Sequence, residues 1–247
     1  MVEIPESFRT AHARLAAISA PRPSDVEDPA DPSSIQAMPI VLHMPKSEPP
    51  DRLSLCAASA QAVVACCLDE RAGRDNSYAA ALGRWYGARI RKVSRRARNI
   101  HWRRAQEVPG VTCSVNGAQA RACVPSAIAD TDPVLAKLQI GGTDLPPVDI
   151  QPPVRDVPMI VVDRDLGMSV GKQTAQVGHA SMLLAAAMPV EDAWSWACMG
   201  FDLQVRELPR AEFQRWVQDP HVVHVADAGF TEVAPGSITA AARYYFP

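Results

Sequence analysis

Residues 157–247 switch repeatedly between the two hydrophobic periods that mark strand and helix. The apolar run Met159-Ile-Val-Val162 predicts a buried strand over 158–163. A helix is predicted from about 171 to 187, with Ala175, Val177, Ala180, Leu183 and Leu184 on the face that would seat it on a sheet. Met188-Pro189 starts a second helix or turn over 189–199, and a strand follows at 201–206. The next helix begins at Pro209, with Phe213, Trp216 and Val217 as its apolar stripe. Val223 and Val225 alternate with His224 and Ala226, which predicts a strand from His221 to Ala226. Asp227-Ala-Gly229 reads as a tight turn, and Thr231–Ala234 as a short return strand ended by Pro235-Gly236. The order β-α-α-β-α-β-β predicts a compact α/β layer fold.

The middle of the chain repeats this plan. Ile40-Val-Leu-His43 aligns with Ile160-Val-Val-Asp163, without gaps through Val64 and Leu184. Arg52 then falls on Lys172, Cys56 on Gln176, Ser59 on His179 and Ala60 on Ala180. Trp102 to Pro109 resembles the helix before His221, Val111–Val115 reads as the matching strand, and Val124-Pro125 is set against Ala234-Pro235. An internal duplication is the expectation. Residues 1–37 read as a flexible tail that holds a short helical stretch, Phe8–Ile18, and a segment rich in Pro, Asp and Ser, Ala20 to Ser34. The remaining expected divisions are a block at 38–144, a Pro-rich linker at 145–156 and a final block at 157–247.

Composition adds constraints. The chain has 47% apolar and 21% charged residues, enough for a real core, and its net charge of −2 excludes a uniformly basic protein. No signal peptide is expected, and the longest apolar run, around Ala57–Leu68, is too short to span a bilayer, so a soluble, cytoplasmic protein without membrane contact is expected. Cys56, Cys66, Cys67, Cys113, Cys123 and Cys198 form no CxxC pair and read as buried free thiols rather than zinc ligands or disulfides. Lysine is scarce: Lys46, Lys92, Lys137 and Lys172 are the full set, which singles out Lys172 in the final block.

Lys172, Gln176 and His179 are spaced i, i+4, i+7, so on a helix they fall within about 60° of one another. A cation, an amide and an imidazole thus share one face at the end of a strand. They belong to Asp165-Leu-x-Met168-x-x-Gly171-Lys172-x-x-Ala175-Gln176-x-x-His179-Ala180, and about fifty residues on stands Asp227-Ala-Gly229-x-Thr231-x-Val233-x-Pro235-Gly236-Ser237-x-Thr239. In this order and spacing the two motifs resemble the archaeal/eukaryotic-type peptidyl-tRNA hydrolase family, over about residues 157–240. The resemblance implies a three-layer α/β/α fold with a small mixed sheet, a common homodimeric state, no metal or other cofactor, and hydrolysis of the ester joining a peptide to tRNA. It places the family's functional residues at Lys172, Gln176, His179, Asp227 and Thr231. Positions where the family usually carries further lysines are Gly167 and Val170 here, and Ala-Ala-Ala-Arg-Tyr-Tyr-Phe-Pro follows Thr239 in place of the usual Gly-Pro continuation.

An activated ester needs positioning, a polarised water and stabilisation of an oxyanion. Lys172 suits a phosphate or the oxyanion, Gln176 donates from an amide, Asp227 orients or deprotonates water, and Thr231 suits the ribose or the water. His179 is the third member of the helical face, with a plain hydrogen-bonded structural role as its alternative; His221 and His224 read as strand residues. Arg89, Arg91, Lys92, Arg95, Arg96, Arg98, Arg103 and Arg104 form a single-signed run with His101 and Trp102 among them, which suits RNA-backbone contact as well as a solvated face. The expected whole is a tandem pseudo-dimer with one live site and one degenerate basic half, acting on peptidyl-tRNA either as a monomer or as a homodimer. A non-catalytic RNA-binding protein of the same fold and a protein-interaction module are the alternatives.

Overall fold

The computed structural model describes residues 3–19, 27, 28, 30–148, 152, 153, 156–227 and 232–244. The first half contains α1 (Glu6–Ala16), β1 (Gln36–His43), α2 (Arg52–Cys67), α3 (Ser77–Gly87), β2 (Arg91–Ala97), α4 (Asn99–Ala105), β3 (Gly110–Val115), β4 (Ala118–Cys123), β5 (Ser126–Ala127) and α5 (Pro133–Ala136). The second contains β6 (Met159–Asp163), α6 (Val170–Ala187), α7 (Val190–Cys198), β7 (Gln204–Leu208), α8 (Arg210–Val217), β8 (Val223–Ala226) and β9 (Ile238–Arg243). β1 and β6 are continuous apolar runs because helices cover both of their faces.

The predicted α/β class holds, with two small mixed sheets. One has the order β2-β1-β4-β3, with β5 beside β1; the other has β7-β6-β9-β8. In each, the first strand runs parallel to one neighbour and antiparallel to the other. The registers correspond as well: Ile40 faces Ala122 in the first sheet, and Ile160 faces Ala242 in the second. That register sets Val124-Pro125 after β4, so its proposed match to Ala234-Pro235, which precedes β9, is wrong. The strand that pairs with β8 is β9; of the predicted return strand Thr231–Ala234, residues 232–234 are in no strand and Thr231 lies outside the described residues. The first sheet closes the corresponding hairpin with Asn116-Gly117 alone, both at positive φ (47° and 82°), as a two-residue hairpin turn requires.

Helices α2 and α6 lie side by side between the sheets. Ser59 Oγ donates to Thr174 O at 3.1 Å, and Ser181 Oγ to Ala60 O at 2.8 Å. A Cβ on Gly178 would sit 2.8 Å from Val63 Cγ2, so glycine there permits the approach. Contacts advance together along both helices, which therefore run in the same direction. One continuous core joins Met38, Ile40 and Leu42 of the first half to Ile160, Val162 and Val177 of the second. Separate clusters behind each sheet are capped by Trp102 and Val134 in the first half and by Phe213 and Trp216 in the second. The stretch Arg52–Gly73 is long and apolar enough to cross a membrane, more than the run at Ala57–Leu68 suggested; 83% of its 18-residue apolar window is buried inside the structure.

α1 is a correction to the expected flexible tail. Phe8, Ala11 and Leu15 are buried in the core, and Phe8 meets Trp194 edge-on at 4.9 Å. Much of the Pro/Asp/Ser-rich stretch (20–26 and 29), part of the expected linker (149–151, 154, 155) and the terminal 245–247 lie outside the described residues. Leu145, assigned to that linker, is buried in the core. Among the cysteines, Cys198 is exposed and Cys113 half-buried, while the other four are buried.

A buried ion pair joins the halves. Arg52 Nε donates to Glu207 Oε1 at 2.9 Å and to Gln173 Oε1 at 3.2 Å, while its other nitrogens reach Leu145 O and Met168 O. The two charged side chains are 14% and 7% exposed. Glu207→Ala leaves a buried guanidinium without its carboxylate, so urea unfolding should show a loss of about 3–5 kcal/mol, much of it restored in the double variant Arg52→Met/Glu207→Leu.

Candidate active site

The start of α6 is set by two local devices. Asp163 caps the turn after β6 by accepting from Asp165 N, and Gly167 ends that turn at φ 61°, a left-handed position that favours glycine. Ser169 then caps α6, its Oγ accepting from Lys172 N at 3.2 Å. The motif's Asp165 accepts from Arg210 N at 2.9 Å and so ties the start of α8 to this turn. Gly171 N donates to Thr143 Oγ1 at 3.0 Å, and a Cβ on Gly171 would stand 2.9 Å from that oxygen. The glycine of the Gly-Lys pair is thus a close-approach residue. Val170 is fully buried in the core.

Lys172, Gln176 and His179 all line one cavity of about 590 Å³, as their spacing predicted. Asp227 joins them from the end of β8. Lys172 Nζ forms an ion pair with Asp227 Oδ2, and Gln176 Nε2 donates to the same oxygen at 2.6 Å. The side chains of Lys172 and Asp227 are 13% and 7% exposed, so this contact is shielded from bulk water. The backbone of Asp227 is clamped by Ser237 O and Gly236 N at 2.9 and 2.8 Å, with Gly236 at φ 78°. Thr231 and Gly229 lie outside the described residues.

Glu232, which the sequence reading missed, accepts from Ser169 N and Ser169 Oγ at 2.8 and 2.7 Å. A carboxylate at a helix N-terminus is favoured by the dipole, and here it pins the 227–237 segment to α6. No spacing rule marks it; its only signal was an acid inside the second motif. Ser94, whose Oγ lies 2.8 Å from Thr174 Oγ1, was likewise unmarked.

The basic run divides. Arg89, Arg91 and Lys92 line the same cavity as Lys172, facing it from the first half. Arg91 Nη1 is held by both oxygens of Glu27, at 2.7 and 2.6 Å. Arg95 Nη1 donates to Leu138 O at 3.1 Å, and Arg96 bonds Gln139. Arg98 precedes α4, while Arg103 and Arg104 are exposed on that helix, in the layer behind the first sheet. The run is therefore an edge strand followed by a short helix, and it presents no single face.

Lys92 has an unusual setting. Its ammonium lies 3.1 Å from Met182 Sδ and 4.9 Å from the centre of the Trp85 ring. Burial pushes its pKa down to about 7, slightly opposed by Cys67. Burial, with Lys92 adding to it, holds His179 well below the usual histidine value, so His179 is a neutral imidazole at pH 7. Neither Lys92 nor His179 is suited to serve there as a permanent phosphate-binding cation.

Residues 157–243 match the family model for peptidyl-tRNA hydrolase PTH2. The match covers about a third of the chain and contains Lys172, Gln176, His179 and Asp227. A comparison with curated proteins finds no match.

Lys92 also sets a pH dependence. Its folded pKa lies below the ordinary 10.5, so between about pH 7 and 10.5 the unfolded chain holds more protons and stability rises with pH. Lys92→Met removes this penalty. Thermal unfolding should show it raising Tm by roughly 2–4 °C at pH 7, with the advantage shrinking as pH approaches 10.5.

Proposed function

We propose that the protein hydrolyses the ester between a peptide, or an N-blocked amino acid, and the terminal ribose of tRNA. The observation that carries this reading is the convergence of Lys172 and Gln176 on Asp227 in one shielded cavity, within a segment that matches a hydrolase family. Water adds to the ester carbonyl, the acyl–oxygen bond breaks, and the products are the peptide carboxylate and the ribose hydroxyl. Lys172 stabilises the oxyanion of the tetrahedral intermediate. Asp227 positions both Lys172 and the attacking water, and Gln176 fixes the carboxylate's orientation. Neutral His179 hydrogen-bonds substrate within the same cavity, and Thr231, in the second motif, is assigned to the ribose or the water.

The first half is, in this reading, a degenerate copy and the chain an intramolecular pseudo-dimer. Support comes from the shared strand order and register. Arg52, which aligns with Lys172, is bound to Glu207, and the Asn116-Gly117 turn leaves no counterpart of the 227–237 segment. A single live site follows, and light scattering should give the mass of one chain; a stable dimer would overturn the pseudo-dimer. A second reading, RNA binding without turnover, is favoured by Arg103 and Arg104, which stand exposed on α4.

Purified protein incubated with N-acetyl-aminoacyl-tRNA separates the two. Hydrolysis is expected, with Lys172→Ala and Asp227→Asn each lowering kcat by about 10²- to 10³-fold, the loss typical of an oxyanion-stabilising group. Salt-sensitive tRNA binding by an intact protein that releases no amino acid would establish the second reading instead.

A further inference from the structure

The cavity holding Lys172 and Asp227 is walled on its far side by consecutive residues, Arg89 to Ser94, of the first half. Such a run of neighbours means that a strand presents its edge. β2 is the terminal strand of its sheet, bonded on one side to β1. Its backbone orientation follows from two bonds. Ala97 O accepts from Met44 N on the β1 side, whereas Arg96 N donates outward to Gln139 O. Residues of one parity send both their N–H and C=O to the same side of a strand. Lys92 and Ser94 therefore point their backbone groups outward with Arg96. Among the described residues, pairing on this outer edge stops at the Arg96–Gln139 bridge. Lys92 and Ser94 both line the cavity.

We infer that the outer edge of β2 is a subsite for the peptide moiety of the substrate, which binds in extended form as an added strand at Lys92 and Ser94. This rests on the ester-hydrolysis reading. Ser94 is joined to Thr174, in the turn of α6 that carries Lys172, and Lys92 reaches Met182, further along the helix. An acyl carbonyl at Lys172 and Asp227 thus leads the peptide past Ser94 to Lys92. The rest of the wall favours a peptide over RNA. Ile90, Val93, Ile140 and Ala175 are apolar, Arg91 is engaged by Glu27, and the Lys92 ammonium is turned to Met182 and Trp85. Main-chain pairing also suits the task, because it grips any peptide regardless of its side chains.

The test is calorimetric binding of non-hydrolysable, 3′-amide-linked peptidyl-adenosines to the full chain, with one to four residues in the peptide. Kd should tighten about three- to tenfold for each added edge bond. Methylating the peptide's backbone nitrogens one at a time should weaken binding at alternate positions only. Lys92→Pro removes the edge N–H without touching the β1 ladder, and should abolish the gain that Lys92→Met retains; the methylation scan needs no variant at all. No binding, no gain with peptide length, or equal sensitivity at every nitrogen would overturn the inference. Tightening only when adenosine is extended to CCA would assign the groove to RNA instead. Because the probes are not cleaved, turnover is read separately. Hydrolysis without the alternating pattern rejects this subsite alone. The alternating pattern without hydrolysis rejects the ester reading and leaves the edge as a peptide-binding site.

Discussion

The side-by-side packing of α2 and α6 is the contact on which everything else rests. Both helices are buried over most of their surface, and each is covered by its own sheet, by its partner helix and by the neighbouring sheet's edge. Gly178 sets the closeness, and paired serine-to-carbonyl bonds satisfy the polar groups that the closeness buries. Once the helices are joined, β2 of the first half is carried to the face of α6 in the second. The cavity is the space left between them.

The same packing gives the equivalent positions on the two helices opposite fates. Arg52, buried against Glu207, is a structural cation that joins the halves. Lys172 instead meets Asp227 in the lining of a cavity. The difference traces to the hairpins: a two-residue turn in one half, and in the other a longer segment that brings in a carboxylate and is pinned by Glu232. The length of that connection, more than any single residue, separates the two halves chemically.

Much of the architecture was legible because burial imposes periodicity. The element order of the final block and the Lys172–Gln176–His179 face follow from spacing along one element. What was misread depended on contacts distant in sequence. The Phe8–Ile18 stretch looked like part of a tail because its partners, Trp194 and the carbonyl of Ala185, are nearly two hundred residues away. The arginine run looked like one charged surface because composition carries no direction. As a strand it sends alternate side chains to opposite faces, and those faces find Met182 on one side and Leu138 O on the other.

By itself, the sequence determined the α/β class, the presence of a core and a cation, amide and imidazole on one side of α6, since these are consequences of period and residue type. Only the tertiary structure decided that the ammonium and amide converge on Asp227, that burial draws the Lys92 pKa down, and that a wall of the cavity comes from the other half. Those outcomes depend on distance and desolvation, which arise when segments far apart in the chain are brought together and water between them is excluded.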